Sequence, residues 1–332
     1  MSQTDWPELH GRHFVGQRVL VTGGAGFIGS HLAEALVHLG ASVVVLDDLS
    51  GGDRANLETF SSDRLEFAEG SILNQELLAR CTQGCRLVFH QAALGSVLRS
   101  IEEPEKYTRV NMTGTSNVLE AARQAGVKRV MFAASSSAYG ANPDLPKIET
   151  MSPRPLSPYA ATKLAGEHMM SAYGASYALD TVSLRYFNIF GPRQNSNSAY
   201  AAVIAAFARC LLADQRPVIH GDGLQSRDFT FVDNAVHANL LAAACPEPIG
   251  GAVLNVACGK RISVQELART MAKLLDRPHD PLHKAERAGD VKHSLADLGR
   301  VQRVIGYRPI ADFDHGLRQT LDWYRGVLAP VS

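Results

Sequence analysis

The sequence predicts an α/β fold, a doubly wound parallel sheet carrying a smaller mixed α/β subdomain. Three observations lead there. Residues 18–128 alternate short β-branched runs with amphipathic stretches, a glycine-rich turn joins the first run to the first helix, and a Tyr-x-x-x-Lys pair opens a later helix. Apolar runs without polar alternation, separated by helices, suit strands buried on both faces, as in a parallel sheet.

The elements follow in order. Residues 18–22 (Arg-Val-Leu-Val-Thr) read as a buried strand, then a glycine turn, then a helix to about residue 39. Residues 42–46 form a second strand that ends at Asp47, 64–67 a short third and 87–90 a fourth. Residues 107–126 predict one helix, with a strand at 129–133 after it. A strand at 180–186, a polar loop at 191–195 and a helix near 199–212 come next. Helices at 264–275 and 313–327 complete the reading, with Pro278, Pro281 and Gly289 marking the loop between them. No clean linker divides the chain, so the two parts are expected to interleave. Residues 1–186 are expected to build the sheet domain, with 218–244 returning to it, and 187–217 with 245–332 the smaller subdomain.

Composition excludes several classes. The chain has 332 residues, enough for a large core, with 45% hydrophobic and 20% charged residues. Lys+Arg and Asp+Glu both total 33, so the balanced charge gives no reason to expect a nucleic acid or a membrane as partner. No apolar run approaches the roughly 20 residues that span a bilayer. The N-terminus lacks an apolar signal core, which predicts a cytoplasmic protein. The five cysteines are scattered and odd in number, as expected of free thiols. Neither they nor the twelve histidines show metal-ligand spacing, so no metal is expected.

Gly23, Gly26 and Gly29 have G-x-x-G-x-x-G spacing between a strand and a helix, a variant of the dinucleotide fingerprint. The turn lets backbone approach a pyrophosphate, and the helix N-terminus offers it free N–H groups. Asp47 ends the next strand, where a carboxylate can accept from an adenosine ribose diol and repel a 2′-phosphate, which favours NAD over NADP. Asp48 adds to that negative field.

Tyr159 and Lys163 lie four residues apart, on one face of a helix. A free phenol, with a pKa of about 10, is a poor base at neutral pH, and a neighbouring ammonium lowers that pKa. By spacing alone such pairs are mostly solvated helix surface. The glycine turn and the run Ser135-Ser136-Ser137, just past a strand end where ligands bind a parallel sheet, raise its weight. Serine hydroxyls there can bond a substrate hydroxyl and the phenol.

The segments TGGAGFIGSH, SSSAYG, YAATK and RYFNIFGPRQ resemble the extended short-chain dehydrogenase/reductases, which have a Rossmann domain. Within them HQAALGSVLRSI, LPKIET, RPLSPYA, GDGLQSRDF and GDVKHSLAD are most similar to UDP-hexose 4-epimerases, and closest to bacterial UDP-N-acetylglucosamine 4-epimerases of polysaccharide synthesis. The resemblance implies an NAD-dependent isomerase acting on a UDP-sugar, as a homodimer through helices near 107–126 and 159–173. It implies Tyr159 as base, Lys163 as the group that lowers its pKa and holds the nicotinamide ribose, and Ser135 as partner of the sugar 4-hydroxyl, with Ser136 and Ser137 sharing that role. For the cofactor it adds Phe27, Ile28, Ser50, Gly51, Ser71, Ile72, Gln91, Ala92, Ala93, Asn111 and Tyr186. For the nucleotide sugar it adds Gly95, Ser96, Asn188, Gln194, Ala202, Val203, Phe207, Val218, His220, Arg227 and Arg287. The two arginines suit a diphosphate, since a guanidinium donates two parallel hydrogen bonds. Ser294 matches the position where a bulky Tyr goes with plain hexoses and a small residue with N-acetyl sugars. One departure is Ser71, where relatives carry an Asp that accepts from the adenine amino group; the hydroxyl contact loses charge assistance.

Other readings stay open. A dehydratase on this fold needs an acid and a base after the Ser135 position, and Ser136 and Ser137 do not supply them at neutral pH. A decarboxylase acting on UDP-glucuronate remains possible by sequence. A non-catalytic NAD sensor is disfavoured by the presence of both Tyr159 and Lys163.

Overall fold

The computed structural model describes residues 4–195, 203–286 and 292–328. Seven parallel strands form the central sheet: β1 (Arg18–Thr22), β2 (Ser42–Asp47), β3 (Leu65–Glu69), β4 (Leu87–His90), β5 (Arg129–Ser135), β6 (Asp180–Tyr186) and β7 (Ala252–Val256). Their order is β7-β6-β5-β4-β1-β2-β3. The winding reverses between β1 and β4, and the crevice beyond their carboxyl ends is where such sheets bind ligands. The predicted doubly wound α/β fold is borne out.

The unbroken apolar runs now have their reason. Along β2, Val43 and Val45 enter the core on one face of the sheet, while Val44 and Leu46 enter the core on the other. Both faces are covered, so neither set of alternating positions can be polar.

The main helices are α1 (Phe27–His38), α2 (Gly114–Gln124), α3 (Pro158–Tyr177), α4 (Val203–Leu212), α5 (Val232–Ala244), α6 (Val264–Leu274) and α7 (Phe313–Leu328). The single helix expected over 107–126 is instead a short helix Pro104–Thr108, a π-turn Arg109–Thr113, and α2. The wider turn carries Asn111, which is buried. Its Oδ1 accepts from the Leu94 N–H at 2.9 Å, and its Nδ2 donates to the Leu94 carbonyl at 3.1 Å and to Thr162 Oγ1 at 3.0 Å. Helix α3 starts on Pro158 and is capped by Ser157, whose Oγ accepts from the Ala160 N–H at 3.2 Å. It lies tight against β5: a Cβ on Gly166 would stand 2.4 Å from the Phe132 ring.

The expected division of the chain needs two corrections. Residues 252–256, assigned from sequence to the smaller subdomain, pair with β6 as the seventh strand. Of residues 218–244, α5 packs on α1 and on the sheet, whereas 218–220 pair outside it with Leu282–Lys284. A five-residue apolar run can join a sheet edge from anywhere in the chain, and sequence order does not show which edge is open. The smaller part has its own core under α4, α6 and α7, centred on Phe190, Phe207, Phe231, Leu267 and Leu317. No helix among the described residues is long and apolar enough to cross a membrane.

Candidate active site

Two clefts meet beyond the carboxyl ends of the central strands. The first is built on the glycine turn. Gly23 has φ +70°, and a Cβ there would lie 2.6 Å from the Ala92 nitrogen. A Cβ on Gly29 would lie 2.1 Å from the Gly23 carbonyl oxygen, so only glycine lets α1 start against the turn. Gly26 caps α1 with no side-chain hydrogen bond, which leaves the first N–H groups of the helix, at Phe27 and Ile28, facing the cleft. At the end of β2, Asp47 accepts from the Ala25 N–H at 3.0 Å and the Leu49 N–H at 2.8 Å. Burial pushes its carboxyl upward, and these N–H bonds oppose the shift. Asp48, Ser50 and Gly51 line the cleft beside it, and Gly70 and Ile72 lie opposite.

The inner end of this cleft is formed by Gln91, Ala92 and Ala93 after β4, and by Tyr186 at the end of β6. A closed polar ring supports it. Asn239 Nδ2 donates to the Tyr186 hydroxyl at 2.6 Å, that hydroxyl donates to Gln91 Oε1 at 3.2 Å, and Gln91 Nε2 donates to Asn239 Oδ1 at 3.3 Å. Two expected cofactor residues, Asn111 and Ser71, make hydrogen bonds within the chain. Asn111 spends its amide on Leu94 and Thr162, and Ser71 Oγ accepts from the Leu73 N–H at 3.3 Å. An uncapped helix start, a glycine cradle and a strand-end carboxylate fit a dinucleotide lacking a 2′-phosphate.

Tyr159, on the first turn of α3, lines both clefts, as do Gly95, Ala134 and Tyr186. Lys163 lies one turn on, buried, with Nζ donating to the Ala133 carbonyl at 2.8 Å and lying 5.0 Å from the centre of the Phe132 ring. Burial pulls its pKa down to about 7, with Glu167 opposing. Burial also pushes the Tyr159 phenol up, against the pull of its hydrogen bond with Ser135. Tyr107 acts on the phenol in the same direction as burial. The ammonium is turned to a carbonyl and is itself desolvated, so burial drives both groups toward their neutral forms.

Ser135 is the last residue of β5, which runs two residues past its predicted end. Its Oγ accepts from the Ser137 N–H at 3.2 Å and the Ser137 hydroxyl at 2.8 Å. Ser136 and Ser137 open a single 3₁₀ turn, and all three serines line the second cleft.

The second cleft continues through Asn188, Gln194, Arg227 and Ser294. Asn188, held at φ +40°, donates to the Asp228 carbonyl at 3.3 Å. Gln194 Nε2 donates to the Ile189 carbonyl at 3.1 Å, while its Oε1 is buried without a partner among the described residues. Such an acceptor suits a ligand N–H. Ser294 is fixed by its N–H to the Ser226 carbonyl at 3.0 Å. Asn188 and Arg227 also line a hollow with Val203, Phe207, Val218 and His220. Ser96 is not in the wall; its Oγ accepts from the Arg99 N–H at 3.2 Å and caps the helix Val97–Glu102. Ala202 and Arg287 lie outside the described residues.

Sequence reasoning missed three residues here. Asp228 is fully buried and accepts from the N–H groups of Cys258, Gly259 and Ala296, at 3.0, 3.0 and 3.1 Å, tying together the segments around Arg227 and Ser294. Burial raises its pKa to about 6. Lys147 and His293 both line the second cleft; His293 Nδ1 lies 2.9 Å from Ser226 Oγ. Lys147 and His293 fall in recognised segments, but no local pattern singles them out.

Glycine turn, strand-end carboxylate and a Tyr-x-x-x-Lys pair at the mouth of a second, polar cleft define a dinucleotide-dependent enzyme. Residues 19–257 match the NAD dependent epimerase/dehydratase family. A UDP-glucose 4-epimerase of Mycolicibacterium smegmatis is 39% identical over 93% of this chain and 98% of its own. A UDP-N-acetyl-alpha-D-glucosaminuronate decarboxylase of Bacillus cytotoxicus is 32% identical over 94% of this chain and 98% of its own. Among solved structures, the UDP-N-acetylglucosamine 4-epimerase of Methanobrevibacter ruminantium, in complex with UDP-N-acetylmuramic acid, superposes with a TM-score of 0.90. It is 39% identical, and the match covers 94% of this chain and 99% of that one. The chain belongs to the NAD-dependent epimerase/dehydratase family.

Proposed function

We propose that the protein interconverts the C4 epimers of a UDP-hexose, with UDP-N-acetylglucosamine and UDP-N-acetylgalactosamine as the favoured pair. The observation that carries this reading is Tyr159 at the junction of the two clefts, with a run of serines rather than carboxylates in the wall of the second.

The N–H groups at the start of α1 would hold the dinucleotide pyrophosphate, Asp47 the adenosine ribose, and Lys163 the nicotinamide ribose. Bound there, NAD⁺ supplies a hydride acceptor that gives the hydride back later in the same turnover. Tyr159 takes the proton of the sugar 4-hydroxyl as the C4–H bond breaks, leaving a 4-keto sugar. Ser135 donates to the phenolate oxygen and so offsets part of the burial that holds the phenol up. A positive charge one turn away adds to that effect whenever Lys163 is protonated. Tyr159 then returns its proton to the C4 oxygen as the opposite face of the ketone is reduced.

Delivery to the opposite face requires the ketose to turn over while the nucleotide stays held. The lining offers both kinds of surface: Gly95, Ala134 and three serines are small, whereas Asn188, Gln194 and Arg227 carry groups able to hold a nucleotide diphosphate. Ser294 leaves space that a phenol would fill, which supports an acetamido substituent. Ser136 and Ser137 argue against a dehydratase, because neither can serve as the acid or base that eliminates water.

The test is to incubate the protein separately with UDP-N-acetylglucosamine, UDP-glucose and UDP-glucuronate and to resolve the products by chromatography and mass. An isomer of unchanged mass, formed fastest from the first, is expected. Loss of water or carbon dioxide overturns the reading, as does tight NAD binding with no turnover of any of the three.

A further inference from the structure

We propose that Arg193 is a positioning residue that couples the two clefts, its guanidinium latching the loop that carries Gln194 onto the cofactor side of the fold. The inference rests on the reading of the second cleft as a nucleotide-sugar site. Arg193 lines neither cleft, yet its side chain is 7% exposed and its φ is +65°. A left-handed backbone at a non-glycine residue is strained and persists only where the surroundings enforce it.

The surroundings of the guanidinium come from two segments. Nη2 donates to Glu34 Oε2 at 2.7 Å and to Thr59 Oγ1 at 3.1 Å, and Nη1 donates to Ser30 Oγ at 3.4 Å. The guanidinium also lies 5.6 Å from the centre of the Phe60 ring. Ser30 and Glu34 belong to α1, whose first turn faces the pyrophosphate end of the first cleft. Thr59 and Phe60 end the stretch that begins with Asp48, Ser50 and Gly51. Neighbouring bonds hold the same loop: His31 Nε2 donates to the Pro192 carbonyl at 3.0 Å, and the Tyr324 hydroxyl donates to the Gln194 carbonyl at 2.6 Å.

A buried ion pair is a weak source of net stability, since desolvation offsets most of the attraction. What the fork supplies is geometry. It fixes Gln194 relative to α1 and to the stretch beside Asp47, so ordering either cleft helps to order the other. Coupling of this kind is reciprocal in binding free energy.

The experiment titrates UDP calorimetrically into the NAD-loaded protein. Arg193→Met is expected to weaken UDP binding about tenfold, which is 1.4 kcal/mol. KM for UDP-N-acetylglucosamine should rise by the same factor, kcat should stay within about threefold, and the gain in NAD affinity that UDP confers should shrink by a comparable factor. Arg193→Lys keeps the charge toward Glu34 without the fork and should recover part of the loss. UDP affinity within about twofold of wild type, or loss of kcat at unchanged KM, overturns the proposal. Should Arg193→Met not fold, Thr59→Val removes the bond from Arg193, along with a long one to the Asn56 carbonyl at 3.4 Å, at an exposed site and should weaken UDP about two- to threefold; no change overturns the proposal. UDP carries no hexose, so the titration reads the latch even if the proposed epimerisation fails.

Discussion

Replacing Glu167 by Gln tests how the catalytic helix is held. Arg185 Nε donates to Glu167 Oε1 at 2.7 Å and Nη2 to Oε2 at 2.6 Å. Both side chains are 3% exposed, and the guanidinium lies 4.5 Å from the centre of the Tyr139 ring, part of the second cleft's wall. Gln keeps the shape but removes the charge and turns one acceptor into a donor aimed at a guanidinium. Breaking a buried pair from one side costs about 3–5 kcal/mol, because the remaining charge loses its partner. At about 2–4 °C per kcal/mol, the figure for 150–250 residues and an upper bound for a longer chain, Tm should fall by no more than about 6–20 °C. Urea unfolding followed by far-ultraviolet circular dichroism measures the change. The paired replacement Glu167→Leu with Arg185→Met should recover most of it, since it leaves no unpaired charge. Glu167 is also the group that opposes the fall in Lys163's pKa. Its loss should move the alkaline limb of the kcat/KM profile to lower pH. A single-mutant change below about 1 kcal/mol with an unmoved pH profile would refute the reasoning.

Three further outcomes are expected. Tyr159→Phe removes the proton acceptor and keeps the ring, so kcat should fall about 10²–10⁴-fold while calorimetric UDP-sugar affinity stays within about threefold; full activity would remove Tyr159 from the chemistry. Ser294→Tyr should lower kcat/KM for UDP-N-acetylglucosamine about 10–200-fold relative to UDP-glucose, and equal losses on both substrates would show that Ser294 does not discriminate between them. Lys163 titrates near 7 when folded, below its ordinary 10.5. Between those values the unfolded chain binds a proton that the folded one does not, so stability rises with pH, by up to about 1.4 kcal/mol per unit. Urea midpoints of wild type relative to Lys163→Met, compared at pH 7 and 8.5, should show that gain; a constant difference would place the Lys163 pKa elsewhere.

Much of the site was legible because its signals are local. Gly23, Gly26 and Gly29 sit within one turn, Asp47 ends the following strand, and Tyr159 and Lys163 are one helical turn apart. The boundaries of β1, β2, β4 and β6 follow from short apolar runs. What short-range patterns do not carry is which way a side chain faces. Asn111 lies in the expected region but on a π-turn that directs its amide to Leu94 and Thr162. Ser96 lies next to Gly95 in sequence yet is occupied as a helix cap.

By itself the sequence determined the α/β class, the order of most elements and the chemistry available to them: a glycine turn, an acid at the next strand end, a Tyr–Lys pair and a run of hydroxyls. Only the tertiary structure decided that β7 closes the sheet beside β6, that Asp228 ties Arg227 to Ser294, and that Arg193 reaches Glu34 across 159 positions. Helical and strand periods act over a few residues, so the sequence carries them directly. Desolvation and pairing of buried charges depend on what the fold brings within about 3–4 Å, and no local spacing encodes that.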